Sequence, residues 1–200
     1  MNEIIFKIIY VGIWLIFIAI RVPFEKKYRL KQKLKTIDPN KEKKLIILLT
    51  LGLLLVPLIW VFTSLFDNIN IYLPVWLRFS GVVLSFLSLY YFFVIHKTLG
   101  ENWSPTLEII KGHQLIQIGV YKRIRHPMYS QMLIWAIAQC LIISNYIAGF
   151  SGLIVWVVFY FIRVPKEEKM MTDYFGEEYM KYKRQTGSIL PSTRNSDLLN

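Results

Sequence analysis

Two stretches of this 200-residue chain hold most of the residues that could do polar chemistry. The first, His96 to Tyr129, contains all three histidines, His96, His113 and His126. Their spacings match no metal-ligand pattern, and no cysteine stands among them, so no metal site is expected. The second stretch, Arg163 to Tyr182, places Arg163, Glu167 and Glu168 directly after an apolar run. On a continuous helix Arg163 and Glu167 lie four residues apart and share a face. Such a pair can be an interfacial salt bridge, which is worth little by itself. It can also be a guanidinium and a carboxylate that hold a polar ligand at a membrane boundary. Spacing alone favours the salt bridge, and Pro165 is expected to interrupt this face and start a new helical segment.

The elements that must position these residues are apolar. The chain is 54% hydrophobic, 16% aromatic and only 18% charged, with a mean hydropathy of +0.41. Soluble domains carry about 25% charged residues. A disordered chain is excluded, and the single cysteine, Cys140, excludes a disulfide framework. The formal charge of +11 sits in segments between apolar blocks, and no recognition module accompanies it. The basic residues therefore point to a membrane surface and not to nucleic acid.

Four apolar blocks stand out. Ile4–Ile20 is broken only by Lys7 and closed by Arg21, with no small-residue cleavage site after it. It reads as a retained transmembrane helix and not a cleaved signal. Leu45–Phe66 is uncharged and long enough to cross the bilayer, with a kink expected at Pro57. Val75–Ile95 follows the helix-starting Pro74, and its Arg78 is expected to snorkel outward. Met128–Ile162 contains no Asp, Glu, Lys or Arg. As one helix it would be about 52 Å long, too long for one crossing. Ser144 and Asn145 lie near its middle, so two short helices joined by a tight turn are expected.

The fold class expected is an all-α integral membrane protein with five transmembrane helices, the last two forming a helical hairpin. Residues 1–95 supply three helices and a basic loop at 23–44. Residues 96–200 supply the catalytic region: a connector at 96–128, the hairpin at 128–163 and a segment at 164–200. Residues 25–44 carry nine Lys and Arg, Lys31 among them; residues 96–128 carry five and residues 163–200 seven, including Arg194. The links at 67–74 and 144–148 carry none. A five-helix arrangement puts all three basic segments in the cytoplasm, with the amino terminus outside and the carboxyl terminus inside. The lysine- and isoleucine-rich composition makes a bacterial inner membrane the expected location.

The order of short motifs carries a resemblance. Residues 119–130, Gly-Val-Tyr-Lys-Arg-Ile-Arg-His-Pro-Met-Tyr-Ser, resemble the signature of the isoprenylcysteine carboxyl methyltransferase family. Leu99-Gly100-Glu101-Asn102-Trp103-Ser104 and His113-Gln114-Leu115-Ile116 precede it as in that family. Glu167-Glu168, Phe175-Gly176-Glu177-Glu178-Tyr179 and Pro191 follow it in the family order. The resemblance covers residues 96–191. Phospholipid N-methyltransferases have a similar core. Sterol reductases have a similar stretch, but typically with Asn at the place of Met128 and Gly-Asp after the tyrosine, where this chain has Ser130-Gln131. Many relatives have Gly where this chain has Gln131. A glutamine that contacts the cofactor in eukaryotic members aligns near Thr106, and its role is not carried over.

The resemblance implies a membrane methyltransferase that uses S-adenosylmethionine and releases S-adenosylhomocysteine. It assigns cofactor contact to His113, Leu115, Ile116, Tyr121, His126, Pro127, Met128, Tyr129 and Glu167. It assigns the substrate to Arg163, and Arg163 and Glu167 together to catalysis. These side chains suit the roles. His126 can donate to the cofactor's carboxylate. Tyr121, Tyr129 and Glu167 suit a sulfonium, and Leu115 and Ile116 an adenine. The planar fork of Arg163 suits a carboxylate, which is ionised at neutral pH and needs no general base. An amine would have to lose a proton first, with Glu167 or Glu168 as base. The expected substrate is a lipophilic or prenylated carboxylic acid, with membrane lipids as neighbours. The alternatives are a phospholipid or amine N-methyltransferase and a non-enzymatic protein that binds anionic lipid.

Overall fold

The computed structural model describes residues 2–30 and 32–192. Lys31, Arg194 and the remainder of the segment at 193–200 lie outside the described residues. Helix α1 (Asn2–Arg29) leads into a short strand β1 (Lys33–Thr36). Helix α2 (Pro39–Thr50) passes through a π turn (Leu51–Leu55) into α3 (Val56–Phe62). Then come α4 (Val75–Leu99), strand β2 (Glu108–Ile110), α5 (Pro127–Ile143), α6 (Tyr146–Phe175) and α7 (Glu177–Gln185). Among the described residues, four helices are long and apolar enough to cross a membrane: Glu3–Arg29, Pro39–Phe62, Val75–Asn102 and Tyr146–Phe175. Helix α5 is apolar but shorter, at 17 residues.

The π turn is the local consequence of Pro57. Proline has no N–H to return to Leu53, so the helical ladder loosens one turn earlier and resumes at Val56. Gly52 within that turn lets α6 approach closely: a Cβ there would lie 2.6 Å from the Ser151 carbonyl oxygen. Ser151 Oγ and Gln139 Nε2 donate to the Gly52 carbonyl at 2.7 and 3.1 Å. Tyr10 in turn donates to Gln139 Oε1 at 3.2 Å. This polar knot is fully paired inside the apolar core built by Phe6, Tyr10, Ile13, Trp60, Leu89, Trp135 and Trp156.

The long uncharged run divides at Ser144 and Asn145. Ser144 adopts a left-handed conformation, and Asn145 caps α6 by accepting from the backbone N–H groups of Ile147 and Ala148, both at 3.0 Å. Asn145 Nδ2 donates to the Phe66 carbonyl at 2.8 Å, which ties this connection to the 67–74 link.

Four expectations are corrected. Helix α6 does not break at Pro165, and it is long, at 30 residues. The missing proline N–H orphans only the carbonyl of Phe161, whose residue is exposed, so the helix continues at small cost. Arg78 does not snorkel. It is 5% exposed and donates through Nε and Nη2 to the Ile142 carbonyl at 3.0 and 2.8 Å, with Glu3 as its ion-pair partner. It thereby satisfies an end of α5 that no helical donor reaches. The fold is not wholly α: β1 pairs antiparallel with β2. Finally, the basic stretch at 23–44 is not a plain loop, because α1 runs to Arg29 and α2 starts at Pro39.

Candidate functional site

Two pieces of chain converge on the amino-terminal end of α5. Pro127 opens that helix, where its missing N–H costs nothing, and His126 is the residue before it. Residues 123–126 are held by the later segment 187–188. The Gly187 N–H donates to the Arg123 carbonyl at 3.1 Å, and those of Arg125 and His126 to the Gly187 and Ser188 carbonyls at 2.9 and 3.0 Å. The fit at Gly187 is close: a Cβ there would sit 1.9 Å from the Leu190 carbonyl oxygen. Helix α6, unbroken at Pro165, presents Arg163, Glu167 and Glu168 to the same place.

The two adjacent glutamates are used differently. Glu168 is saturated with cations: Arg125 Nε lies at 2.7 Å, His126 Nε2 at 3.1 Å and Lys183 Nζ at 2.6 Å. It knots α6, α7 and the loop before α5 together. Glu167 accepts one hydrogen bond, from the Tyr129 hydroxyl at 2.7 Å, and faces His126 Nδ1 at 3.7 Å. Burial alone would pull the His126 imidazole below its usual pKa. The charges of Glu167 and Glu168 and the hydrogen bond to Glu168 outweigh that burial and hold it above. Burial pushes the Tyr121 phenol well above its usual value, so it stays neutral.

Arg163 is 13% exposed at its side chain. Its Nη2 donates to the Pro105 carbonyl at 3.1 Å and lies 2.9 Å from Glu42 Oε1. Its Nε is buried without a hydrogen-bond partner.

Two cavities meet at these side chains. One, of about 130 Å³, lies among the connector, α6 and α7. His113, Leu115, Ile116, Tyr121, His126, Arg163 and Glu167 line it, together with Asn102, Thr106, Glu108, Tyr179 and Tyr182. The other, of about 440 Å³, lies among the apolar helices, lined by Trp14, Phe17, Leu49, Leu53, Phe92, Trp135 and Phe159. Leu99, Ser104, Tyr121, Arg163 and Glu167 line both.

Of the residues assigned to a cofactor by resemblance, Met128 and Tyr129 line the apolar cavity and not the polar one. Pro127 lines neither and serves as the first residue of α5. His96 is buried between the rings of Phe24, Phe92 and Trp103 and lies apart from the site. No group of three His, Cys, Asp or Glu is placed to hold a metal among the described residues.

Sequence reasoning missed three contributors. Glu42 stands alone among Lys41, Lys43 and Lys44, and a single acid in a basic run at a membrane boundary is a signal that could have found it. Arg125 stands inside the signature at 119–130, but the resemblance gives it no role in the site. Glu108 on β2 accepts from Tyr28 and pairs with Lys33 at 2.9 Å. Burial works against its charged form, but these hydrogen bonds and that of Thr106 hold its carboxyl below the usual range.

The model of the family described as "Isoprenylcysteine carboxyl methyltransferase (ICMT) family" matches residues 81–173. A probable protein-S-isoprenylcysteine O-methyltransferase of Oryza sativa subsp. indica is 38% identical over 47% of this chain and 50% of its own length. Protein-S-isoprenylcysteine O-methyltransferase B of Arabidopsis thaliana is 31% identical over 47% of this chain and 49% of its own length. The human protein-S-isoprenylcysteine O-methyltransferase is 36% identical, over 47% of this chain and 34% of its own length. The matches thus span about half the length of the plant relatives and about a third of the human one. Among solved structures, the eukaryotic intramembrane Ras methyltransferase ICMT shares the fold, with a TM-score of 0.54 and 22% identity over 79% of this chain and 54% of that one. The family's model thus matches just under half of this chain, and the solved methyltransferase shares its fold.

Proposed function

We propose that this chain is an integral membrane methyltransferase that uses S-adenosylmethionine to methylate the carboxylate of a lipophilic, isoprenylcysteine-like substrate. One observation carries this reading: a polar cavity and an apolar cavity share Arg163 and Glu167 in their walls. A water-soluble donor and a membrane-soluble acceptor could thus reach the same side chains from opposite sides.

The residues present fit the cofactor. The Tyr179 hydroxyl is a buried polar atom without a hydrogen-bond partner, and Tyr179 lines the polar cavity. Such atoms are costly unless a ligand satisfies them. S-adenosylmethionine, when bound, supplies an electrophilic methyl group. His126 would donate to its carboxylate, Leu115 and Ile116 would enclose its adenine, and Glu167 would offset its positive charge. Arg163 would align the acceptor's carboxylate, and the apolar walls would exclude water from it. No proton need move.

A second reading, an amine or phospholipid acceptor, has one specific support. Glu42 already neutralises part of the charge of Arg163, while Glu167 has a carboxylate at the junction.

The membrane arrangement that goes with this function has five crossings, with α5 and α6 as a hairpin. Its support is the grouping of charge. The links that carry no Lys or Arg are bonded together at one end, where the Ile71 N–H donates to the Ser144 carbonyl at 2.7 Å. The basic segments are joined at the other, by β1 with β2 and by Arg125 with Glu168. That end is the cytoplasmic one by the positive-inside rule, with the amino terminus outside.

The test is calorimetric titration of S-adenosylmethionine into the wild type, Glu167→Ala and His126→Ala in detergent. Labelled methyl transfer to N-acetyl-S-farnesylcysteine and to phosphatidylethanolamine would follow. Binding weakened by both substitutions, with label on the acid only, is the expected result. Label on the amine favours the second reading, and no binding by folded wild type overturns both.

A further inference from the structure

Arg163, the side chain that the carboxyl-methylation reading places beside the acceptor, is already occupied. Glu42 reaches it from α2 and is itself only 3% exposed. The occupation is incomplete. The 2.9 Å approach of Glu42 Oε1 to Nη2 lacks hydrogen-bond geometry, and Arg163 Nε has no partner. A guanidinium that meets a carboxylate through its fork would use both nitrogens. Glu42 therefore stands where an acceptor's carboxylate would have to stand, in a poorer geometry than an acceptor could adopt. Glu42 also has somewhere to go. Lys166, one turn along α6, exerts its charge on the Glu42 carboxylate. It is otherwise engaged only loosely, by Asp38 at 3.7 Å.

We propose that Glu42 is a specificity-determining residue: an internal carboxylate that holds Arg163 until the substrate's carboxylate displaces it towards Lys166. Only a ligand that carries an acid outcompetes it. The neutral methyl ester formed by the reaction cannot, so Glu42 recaptures Arg163 and favours release of product over acid. This rests on the carboxyl-methylation reading above.

The test compares wild type, Glu42→Gln and Glu42→Asp in detergent, with N-acetyl-S-farnesylcysteine as acceptor and its methyl ester as inhibitor. Removing a competitor raises the fraction of Arg163 free to bind. Glu42→Gln is expected to lower KM for the acid by about ten-fold, with inhibition by the ester changed less than about two-fold. Glu42→Asp, which keeps the charge on a shorter arm, falls between the two and decides the matter if the glutamine variant does not fold. Lys166→Ala is expected to raise KM in the wild type but not in the Glu42→Gln background.

A purely structural Glu42, one that merely steadies Arg163, predicts the opposite sign. A KM for the acid that rises or stays constant in Glu42→Gln, or an ester affinity that changes in step with it, overturns the proposal. Wild type that transfers methyl to the acid while the variants show no fall in KM sinks this inference alone. Wild type that neither binds cofactor nor transfers methyl sinks the underlying reading, and this inference with it.

Discussion

Two arginines, one at each end of the helical bundle, are buried beside a glutamate, and they have opposite characters. Arg78 is fully spent. Nε and Nη2 converge on the Ile142 carbonyl, Nη1 and Nη2 meet both oxygens of Glu3, and the Phe6 ring lies 3.9 Å away. Its glutamate is half exposed and reaches inward from the helix end. Arg163 is the reverse: its glutamate is buried, its Nε is idle, and two cavities open onto it. A buried cation whose donors are all satisfied closes a structure. One with a donor to spare, facing empty space, awaits a ligand.

The largest expected effect that would break this comparison lies at Arg163. Arg163→Ala should lower methyl transfer by about a hundred-fold or more, the scale of losing one partner of a desolvated charge pair, while cofactor binding survives. Equal loss of both would place Arg163 with structural arginines. Arg78→Ala should instead cost about 3 kcal/mol of stability, because it leaves the end of α5 unpaired. The fraction that remains folded should turn over normally, which thermal melts and active-site titration would show.

The neighbouring glutamates sharpen the same contrast at smaller scale. Glu168→Gln breaks a three-cation knot and should destabilise by about 2 kcal/mol, whereas Glu167→Gln, which loses one hydrogen bond and the charge facing His126, should lower the melting temperature less and weaken cofactor binding.

The smallest effect is a pH dependence. The pKa of His126 is raised in the folded protein, so the stability it contributes is fully present below about pH 6.5 and lost as pH rises through its raised value. Melting temperature should fall gently across that window and lose this slope in His126→Gln. A slope of the opposite sign would mean that the imidazole is buried neutral.

What the sequence made legible follows from where the determining forces are local. The apolar blocks are visible because a bilayer demands long uncharged helices. The break at Ser144 and Asn145 is visible because a 35-residue uncharged run is too long for one crossing and these two adjacent polar residues lie near its middle. The ordered signature brought His113, Tyr121, His126, Arg163 and Glu167 forward, and the fold gathers them around one cavity.

The misses depend on partners distant in the chain. Whether Arg78 snorkels or turns inward depends on an orphan carbonyl on α5. Whether Pro165 ends a helix depends on what its turn faces. Strand β1 hides in a lysine-rich run because its partner, β2, lies beyond two membrane helices. Glu42 reads as an ordinary surface acid until α6 is set against α2. The walls of the apolar cavity come largely from residues 1–95, where apolar helices look alike and carry no signature.

The clasp between residues 123–126 and 187–188 has a consequence for biosynthesis. The two halves of that clasp leave the ribosome about sixty residues apart, with all of α5 and α6 between them. The loop that carries His126 cannot take its final shape until Gly187 and Ser188 have been translated. By then every apolar helix has been translated. The clasp therefore closes only after the last apolar helix has been made, and a chain truncated before Gly187 would lack one half of it.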